Sequence, residues 1–170
     1  IPELRQAIVD KFKKDNDLSY SIDKVIVGTG GKQILYNALV SSINKDDEVI
    51  IPAPYWVSYP DMTLLAGGKP IIVSCSLETD FKLTAKELEK FVTKKSKWLI
   101  LNSPSNPTGA CYSRRELEEI AEVVRRHDNL YVMTDDIYEH IVYDNFEFFT
   151  FAQVAPDLKG RVLTVNGVSK

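Results

Sequence analysis

Residues able to do chemistry follow the predicted strands of this chain at five places. They are the turn of Gly30, Gly31 and Lys32, then Trp56, Asn106, the pair Asp135 and Tyr138, and Lys170. A lysine amine can condense with an aldehyde to a Schiff base, and a carboxylate can hold a proton on a ring nitrogen. A glycine turn that opens a helix points backbone N–H groups at an anion. With the flat face of an indole, these groups indicate a site for an aromatic aldehyde that carries an anionic group.

The stretch Lys97–Gly109 indicates how such residues reach one edge of a sheet. It opens with the continuous apolar run 98–101, which is typical of a strand buried on both faces of a parallel sheet. Two prolines then keep the following loop extended. Because ligands of open α/β sheets bind beyond the carboxyl ends of the strands, we expect Asn102 and Asn106 at the ligand edge. Taken alone, the same stretch also fits a proline-rich connector without chemistry.

Predicted strands and helices alternate along the chain. The strands are expected at residues 24–28, 48–52, 70–75, 97–102, 130–134 and 161–165. The helices are expected at residues 2–12, 32–43, 58–66, 84–91 and 113–126. Thr84-x-x-Glu87 and Ser113-x-x-Glu116 are capping boxes that mark two of the helix starts. This alternation indicates an α/β fold of three layers, α/β/α, with a largely parallel sheet and helices on both of its faces.

The overall composition excludes several classes of protein. The net charge is −3 and the basic residues are scattered, so a nucleic-acid partner is not expected. No apolar run is long enough for a bilayer, so a membrane is not expected either. Cys75 and Cys111 have no metal-ligand spacing, which predicts no metal site and indicates free thiols in a cytoplasmic protein.

Pyridoxal 5'-phosphate is the cofactor whose chemical needs this set of groups matches. Its aldehyde requires a lysine, its ring nitrogen an acidic partner and its phosphate a helix N-terminus. The chain also resembles the large domain of fold-type I pyridoxal-phosphate aminotransferases of class I, and most closely the bacterial aspartate aminotransferases. The stretches that carry this resemblance stand in family order and are Ile1–Arg5, Gly30–Gln33, Pro54–Tyr59, Asn102–Gly109, Asp135–His140 and Val165–Lys170.

The resemblance implies a role for each candidate residue. Lys170 would hold the cofactor as a Schiff base and then move the proton of the substrate α-carbon. Asp135 would keep the ring nitrogen protonated, so that the ring accepts electrons. Tyr138 and Asn106 would hydrogen-bond the phenolic oxygen of the ring. The remaining residues would hold the ring and the phosphate, with Trp56 stacked on the ring and Gly30, Gly31 and Lys32 around the phosphate.

The resemblance also implies a reaction and a setting for it. We expect transfer of an amino group from an amino acid, aspartate first, to a 2-oxo acid, 2-oxoglutarate first, by a cytoplasmic homodimer. Aromatic, prephenate or kynurenine transamination and carbon–sulfur lysis are alternatives within the same class. A different alternative is the aminotransferase-like sensor domain of bacterial transcription regulators, which keeps the lysine but performs no turnover. A helix-turn-helix domain upstream of Ile1 would favour that alternative.

The chain departs from the family pattern in several respects. Gly167 stands where animal relatives often have a serine, so no side chain contacts the phosphate from that position. The family's second phosphate-binding arginine, its substrate-carboxylate arginine, its small domain and its N-terminal segment have no counterpart among these residues. We therefore expect residues 1–170 to be a partial large domain of a longer chain, and we expect this piece to be inactive on its own.

Overall fold

A sheet of five parallel strands forms the centre of the computed structural model, which describes residues 1–170. The strands are β1 (Glu48–Ala53), β2 (Lys69–Ser74), β3 (Ser96–Asn102), β4 (Tyr131–Asp135) and β5 (Val162–Val165). They are ordered β2-β1-β3-β4-β5, and each neighbouring pair is parallel. All five carboxyl ends therefore open at one edge of the sheet, where an α/β protein binds its ligands.

Helices cover both faces of this sheet. They are α1 (Pro2–Asn16), α2 (Gly31–Ser42), α3 (Ser58–Leu65), α4 (Ala85–Phe91), α5 (Arg114–Arg126) and α6 (Phe151–Val154). Short 3-10 helices occupy Ile22–Lys24, Leu77–Thr79 and Pro156–Arg161. One core contains residues of α4, α5 and α6, and the other contains residues of α2 and α3. The three-layer α/β/α fold with a parallel sheet is thereby confirmed. None of the helices is both long enough and apolar enough to cross a bilayer.

The central strand β3 supplies side chains to both cores. Leu99 and Leu101 belong to the same buried cluster as Ile120 of α5. Ile100 points the other way and shares a cluster with Leu39 of α2. Because successive side chains of a strand alternate between faces, a strand covered on both sides needs an uninterrupted apolar run. Each of these side chains contributes about 1.5–3 kcal/mol to folding through its burial.

The predicted strand at residues 24–28 is wrong. Ile22–Lys24 form a 3-10 helix, and Val25 continues in an extended conformation without pairing to any strand. Val25 is buried, but Ile26 is 82 % exposed and Val27 is 47 % exposed, and none of the three belongs to either core. Its β-branched residues favour an extended backbone locally, but a strand also needs a neighbour that completes the hydrogen-bond ladder.

The two predicted capping boxes differ in the structure. At the start of α5, the Ser113 N–H donates to the Glu116 carboxylate at 2.7 Å while the serine hydroxyl accepts from the Glu116 N–H, so the box is complete. At the start of α4, Thr84 accepts from the Glu87 N–H at 3.2 Å, but the Glu87 carboxylate accepts from Lys90 instead. The complete box fixes the point at which the loop after β3 enters α5.

Candidate active site

The ends of β3 and β4 lie side by side and set the floor of the candidate site. Asn102 and Asp135 are their last residues and are partners in the strand register. The Asn102 side chain donates to the backbone oxygen of Asp135 at 2.7 Å and accepts from the N–H of Asn106 at 2.7 Å. Asn102 thus ties the proline-containing loop to the neighbouring strand and holds Asn106 at the predicted edge.

The carboxylate of Asp135 is buried and has no cationic partner. It is 7 % exposed and accepts a hydrogen bond of 2.7 Å from the hydroxyl of Tyr59 in α3. Burial raises the pKa of Asp135 above its usual value, although the hydrogen bond from Tyr59 works in the opposite direction. No lysine, arginine or histidine forms an ion pair with it. A positively charged group placed against this carboxylate would lower its pKa and hold it ionised.

Tyr59 is suited to remain a hydrogen-bond donor at this position. Its side chain is 2 % exposed, and burial followed by the charge of Asp135 raises the pKa of the Tyr59 hydroxyl. The phenol therefore keeps its proton, and that proton points at the carboxylate. Tyr59 orients Asp135 without neutralising it.

Asn106 and Tyr138 meet at the mouth of the site. The Asn106 side-chain amide donates to the Tyr138 hydroxyl at 3.4 Å, and both residues are half-buried. Both line an open groove of about 870 Å³ between the loop after β3 and residues 138–146. Trp56, Asp135 and the glycine turn do not line this groove, so its volume does not measure the space beside the buried carboxylate.

Trp56 lies between Tyr59, the donor to Asp135, and Lys32 of the glycine turn. Its ring meets the Tyr59 ring edge to face, with centroids 5.4 Å apart and an interplanar angle of 81°. The ammonium of Lys32 lies 5.2 Å from the Trp56 ring centroid. Lys32, Trp56, Tyr59 and Asp135 therefore form a continuous line of contacts along the sheet edge.

The glycine turn at the start of α2 presents free backbone amides to open space. Gly30 has φ 100°, a conformation that a glycine adopts readily. The first hydrogen bonds of α2 run from Gln33 and Ile34 to the Gly30 carbonyl. The amides of Gly31 and Lys32 are thus left for another acceptor. No atom lies within 4 Å of the point where a Cβ would stand at Gly30 or Gly31. This arrangement fits an anion at a helix N-terminus.

Lys170 is the one predicted site residue that the structure does not bring into contact with the others. It is exposed, lies five residues beyond the end of β5, and makes no hydrogen bond or ion pair. The end of β5 itself is close to the site, because the Asp136 N–H donates to the Val165 carbonyl at 2.8 Å. The role of Lys170 stays a prediction from the family resemblance.

The sequence did not reveal the contacts of Tyr59 and Asn102. Tyr59 was visible only as an aromatic residue near Trp56, and its spacing of three residues on a helix start places the two rings together. Asn102 was expected at the ligand edge without a partner. Its position opposite Asp135 depends on the strand register, which no local signal in the sequence specifies.

Fold and site together define a class of protein. A parallel α/β sheet carries, at its carboxyl edge, a buried carboxylate that favours a cation and a glycine turn that favours an anion. These residues fit a cofactor with a protonated ring nitrogen and a phosphate. The chain belongs to the aminotransferase class I and II family, whose model matches residues 1–170. Enzymes of this family depend on pyridoxal 5'-phosphate.

Known proteins with similar sequences support this assignment. The chain is 60 % identical over 170 residues to a probable aspartate/prephenate aminotransferase of Rickettsia bellii and covers 43 % of that protein. It is also 60 % identical to the aspartate/prephenate aminotransferase of Cereibacter sphaeroides, of which it covers 42 %. The chain thus spans less than half the length of these relatives.

Solved structures show the same fold. The aspartate aminotransferase of Rhizobium meliloti matches with a TM-score of 0.98 and 51 % identity, over 99 % of this chain and 42 % of that one. An aromatic aminotransferase of Pyrococcus horikoshii matches with a TM-score of 0.95 and 42 % identity, over 100 % of this chain and 45 % of that one.

Proposed function

We propose that this chain is the cofactor-binding part of the large domain of a pyridoxal-phosphate aminotransferase. The observation that carries the proposal is the buried carboxylate of Asp135, which has a hydrogen-bond donor in Tyr59 but no cation. A protonated pyridine nitrogen supplies the missing charge. The open glycine turn at α2 supports the same ligand, because it offers amides to a phosphate.

Each residue of the site then has a defined task. Bound pyridoxal phosphate supplies an electron sink for the negative charge that develops at the substrate α-carbon. Asp135 would hold a proton on the ring nitrogen, and Tyr59 fixes the direction of that carboxylate by its hydrogen bond. Trp56 would cover the ring face, and Asn106 and Tyr138 would donate hydrogen bonds to the phenolic oxygen. Of these tasks, only the contact of Tyr59 with Asp135 is observed directly. The tasks of the other site residues toward the ring and the phosphate, and covalent attachment and proton transfer by Lys170, are those that the family resemblance implies.

For the intact protein we propose transamination between aspartate and 2-oxoglutarate. The names of the similar proteins support this choice, since they include aspartate aminotransferases and aspartate/prephenate aminotransferases. The same names favour prephenate as a second amino-group acceptor. We further propose a cytoplasmic homodimer, and the free thiols of Cys75 and Cys111 fit a reducing compartment.

Covalent labelling of the full-length protein tests the cofactor assignment. Borohydride reduction in the presence of pyridoxal phosphate is expected to label Lys170, and Lys170→Ala is expected to abolish the label. Lys45→Ala, at an exposed lysine, is the control and should leave labelling intact. A label that maps to another lysine would show that the assignment is wrong.

Substrate choice and the task of Asp135 are tested by kinetics on the same protein. Aspartate should convert the bound cofactor faster than aromatic amino acids or kynurenine, and prephenate should regenerate it.

Asp135→Asn should retain cofactor but lose most of the turnover, since a charge-assisted contact contributes about 1.5–3 kcal/mol or more at a reacting centre. Parental turnover by Asp135→Asn would exclude this residue as the ring-nitrogen partner.

A further inference from the structure

The buried carboxylate of Glu139 joins three separate parts of the chain beside the candidate site. It is 5 % exposed and follows Tyr138 directly. Its oxygens accept hydrogen bonds from Lys11 of α1, from Asn16 at 3.0 Å and from Asn166 at 2.7 Å. Burial works to raise the pKa of Glu139, but the hydrogen bonds and charge of these neighbours outweigh it and keep the pKa below its usual value. Glu139 is thus a buried, ionised and fully paired group.

Asn166 is the first residue after β5, so its contact with Glu139 fixes the start of the segment that leads to Lys170. The Asn166 side-chain oxygen accepts from the N–H of Gly167 at 2.7 Å. Gly167 lies against Ile137, since a Cβ at this glycine would come within 2.6 Å of the Ile137 Cδ1. Residues beyond Gly167 make no hydrogen bond or ion pair. The Glu139–Asn166 contact is therefore the last hydrogen bond between side chains before the lysine.

We infer that Glu139 is a positioning residue for Lys170, and that it acts through Asn166 to set where the lysine amine approaches the cofactor-binding edge. This inference rests on the proposed function, in which Lys170 attaches the cofactor. No hydrogen bond or ion pair joins the Glu139 carboxylate to Asp135 or to the glycine turn, the groups proposed for the ring nitrogen and the phosphate. Glu139 therefore affects how fast the cofactor attaches to Lys170, whereas non-covalent binding of the cofactor depends on other residues.

Two forms of the cofactor separate these effects in the full-length protein. Pyridoxal 5'-phosphate can react with a lysine, whereas pyridoxamine 5'-phosphate has an amine in place of the aldehyde and cannot. We expect Glu139→Ala and Asn166→Ala each to slow covalent capture at Lys170 by about 10- to 100-fold, because misplacement of a reacting group is costly. Affinity for pyridoxamine phosphate should be unchanged. Timed borohydride reduction with peptide mapping gives the capture rate, and fluorescence titration gives the affinity.

A matched control removes a different buried carboxylate. Glu48 is 8 % exposed at the first residue of β1, on the opposite edge of the sheet, and accepts a hydrogen bond of 2.6 Å from Thr93. Glu48→Ala should lower stability without changing the capture rate at Lys170. The double variant Glu139→Ala/Asn166→Ala should be no slower than the slower single variant, because both remove the same link.

The labelling results distinguish failure of the proposed function from failure of the positioning role of Glu139. If the parental protein is not labelled at Lys170, the proposed function fails. If the parental protein is labelled and Glu139→Ala is labelled equally fast, the positioning role is overturned. A parallel loss of affinity for pyridoxamine phosphate would also overturn it, since that result shows a general structural role. Should Glu139→Ala fail to fold, Asn166→Ala decides, because it removes a single partly exposed amide.

Discussion

At the scale of single residues, the hydrogen bond from the Tyr59 hydroxyl to the Asp135 carboxylate affects the charge of the site. The two groups are 2.7 Å apart and both are buried. Burial pushes the pKa of Asp135 upward, and the hydrogen bond from Tyr59 is the first force that opposes this shift. The phenol thus stabilises the charged form of Asp135, which is the form that the proposed ring-nitrogen contact requires.

Removal of this hydroxyl should cost stability in a pH-dependent way. We expect Tyr59→Phe to lower the free energy of unfolding by about 1.5–3 kcal/mol at mildly alkaline pH, where Asp135 is ionised. The loss should shrink in acid, because a neutral carboxyl group forms a weaker hydrogen bond. Urea denaturation at both pH values measures the effect, with Tyr36→Phe in α2 as the control. An equal loss at the two pH values would contradict this account.

Asp136 should contribute the opposite of the usual pH dependence of a carboxylate. It is 2 % exposed, and burial raises its pKa to about 7, although a hydrogen bond from Thr134 opposes the shift. Its pKa in the unfolded chain is roughly 3.9. Between these values the folded state binds more protons than the unfolded state. The stability that Asp136 contributes is therefore full in acid and is lost as the pH rises toward neutrality.

Asp136→Asn should remove this dependence. Relative to the variant, the parental free energy of unfolding should fall by up to roughly 1.4 kcal/mol per pH unit between the two pKa values as the pH rises. Urea denaturation across that range gives the difference. Asp128→Asn, at an exposed aspartate, controls for the loss of one carboxylate. A parental stability that rises relative to Asp136→Asn over this range would refute the assignment.

At the scale of elements, the start of α2 depends on the backbone of Gly30. Its φ of 100° and ψ of 156° lie in a region that is essentially restricted to glycine. The space around its Cα is open, so the restriction comes from the backbone and not from a neighbouring side chain. The open turn and the free amides of α2 therefore belong to one local conformation.

A methyl group at Gly30 tests this conformation. Gly30→Ala should lower the free energy of unfolding by about 1–3 kcal/mol, the usual cost of a residue in such a region. Gly160→Ala is the matched control, since a Cβ there also meets no atom within 4 Å and its φ is not in the positive range. Chemical denaturation of both variants measures the difference. Equal stabilities would show that the turn tolerates a side chain.

At the scale of the whole molecule, the surface carries several exposed aliphatic side chains. Ile26, Val57 and Leu65 are 82 %, 74 % and 74 % exposed. Exposed apolar side chains favour association with other protein surfaces. The chain also corresponds to only 42–43 % of the length of its relatives.

The 170-residue chain expressed alone should therefore self-associate and show no measurable transamination. The physical reason for the second expectation is orientation, since fixing the reacting groups supplies on the order of 7–11 kcal/mol of barrier reduction. Size-exclusion chromatography and a coupled assay for 2-oxo acid production measure the two properties. The full-length protein is the positive control in the same assay. Clear turnover by a monodisperse monomer would contradict the expectation.

Several elements followed from the sequence because their signals are local. The apolar run 98–101 indicated a strand covered on both faces, and β3 is buried on both sides. Ser113 and Glu116 indicated a helix start, and α5 begins there with a complete capping box. The glycine turn before α2 was predicted from Thr29-Gly30-Gly31 standing directly ahead of an amphipathic helical pattern. In each case the physical cause lies within a few consecutive residues, so that neighbouring sequence is sufficient.

Only the tertiary structure decided which distant residues meet and which local preferences fail. Tyr59 and Asp135 are 76 positions apart, and Glu139 and Asn166 are 27 apart, so no periodicity links them. Residues 24–28 have the composition of a strand and yet pair with none. A hydrogen bond between two elements depends on the strand order and register of the folded sheet. The sequence alone therefore determined the elements and the edge of the site, and packing determined the contacts that tune its charge.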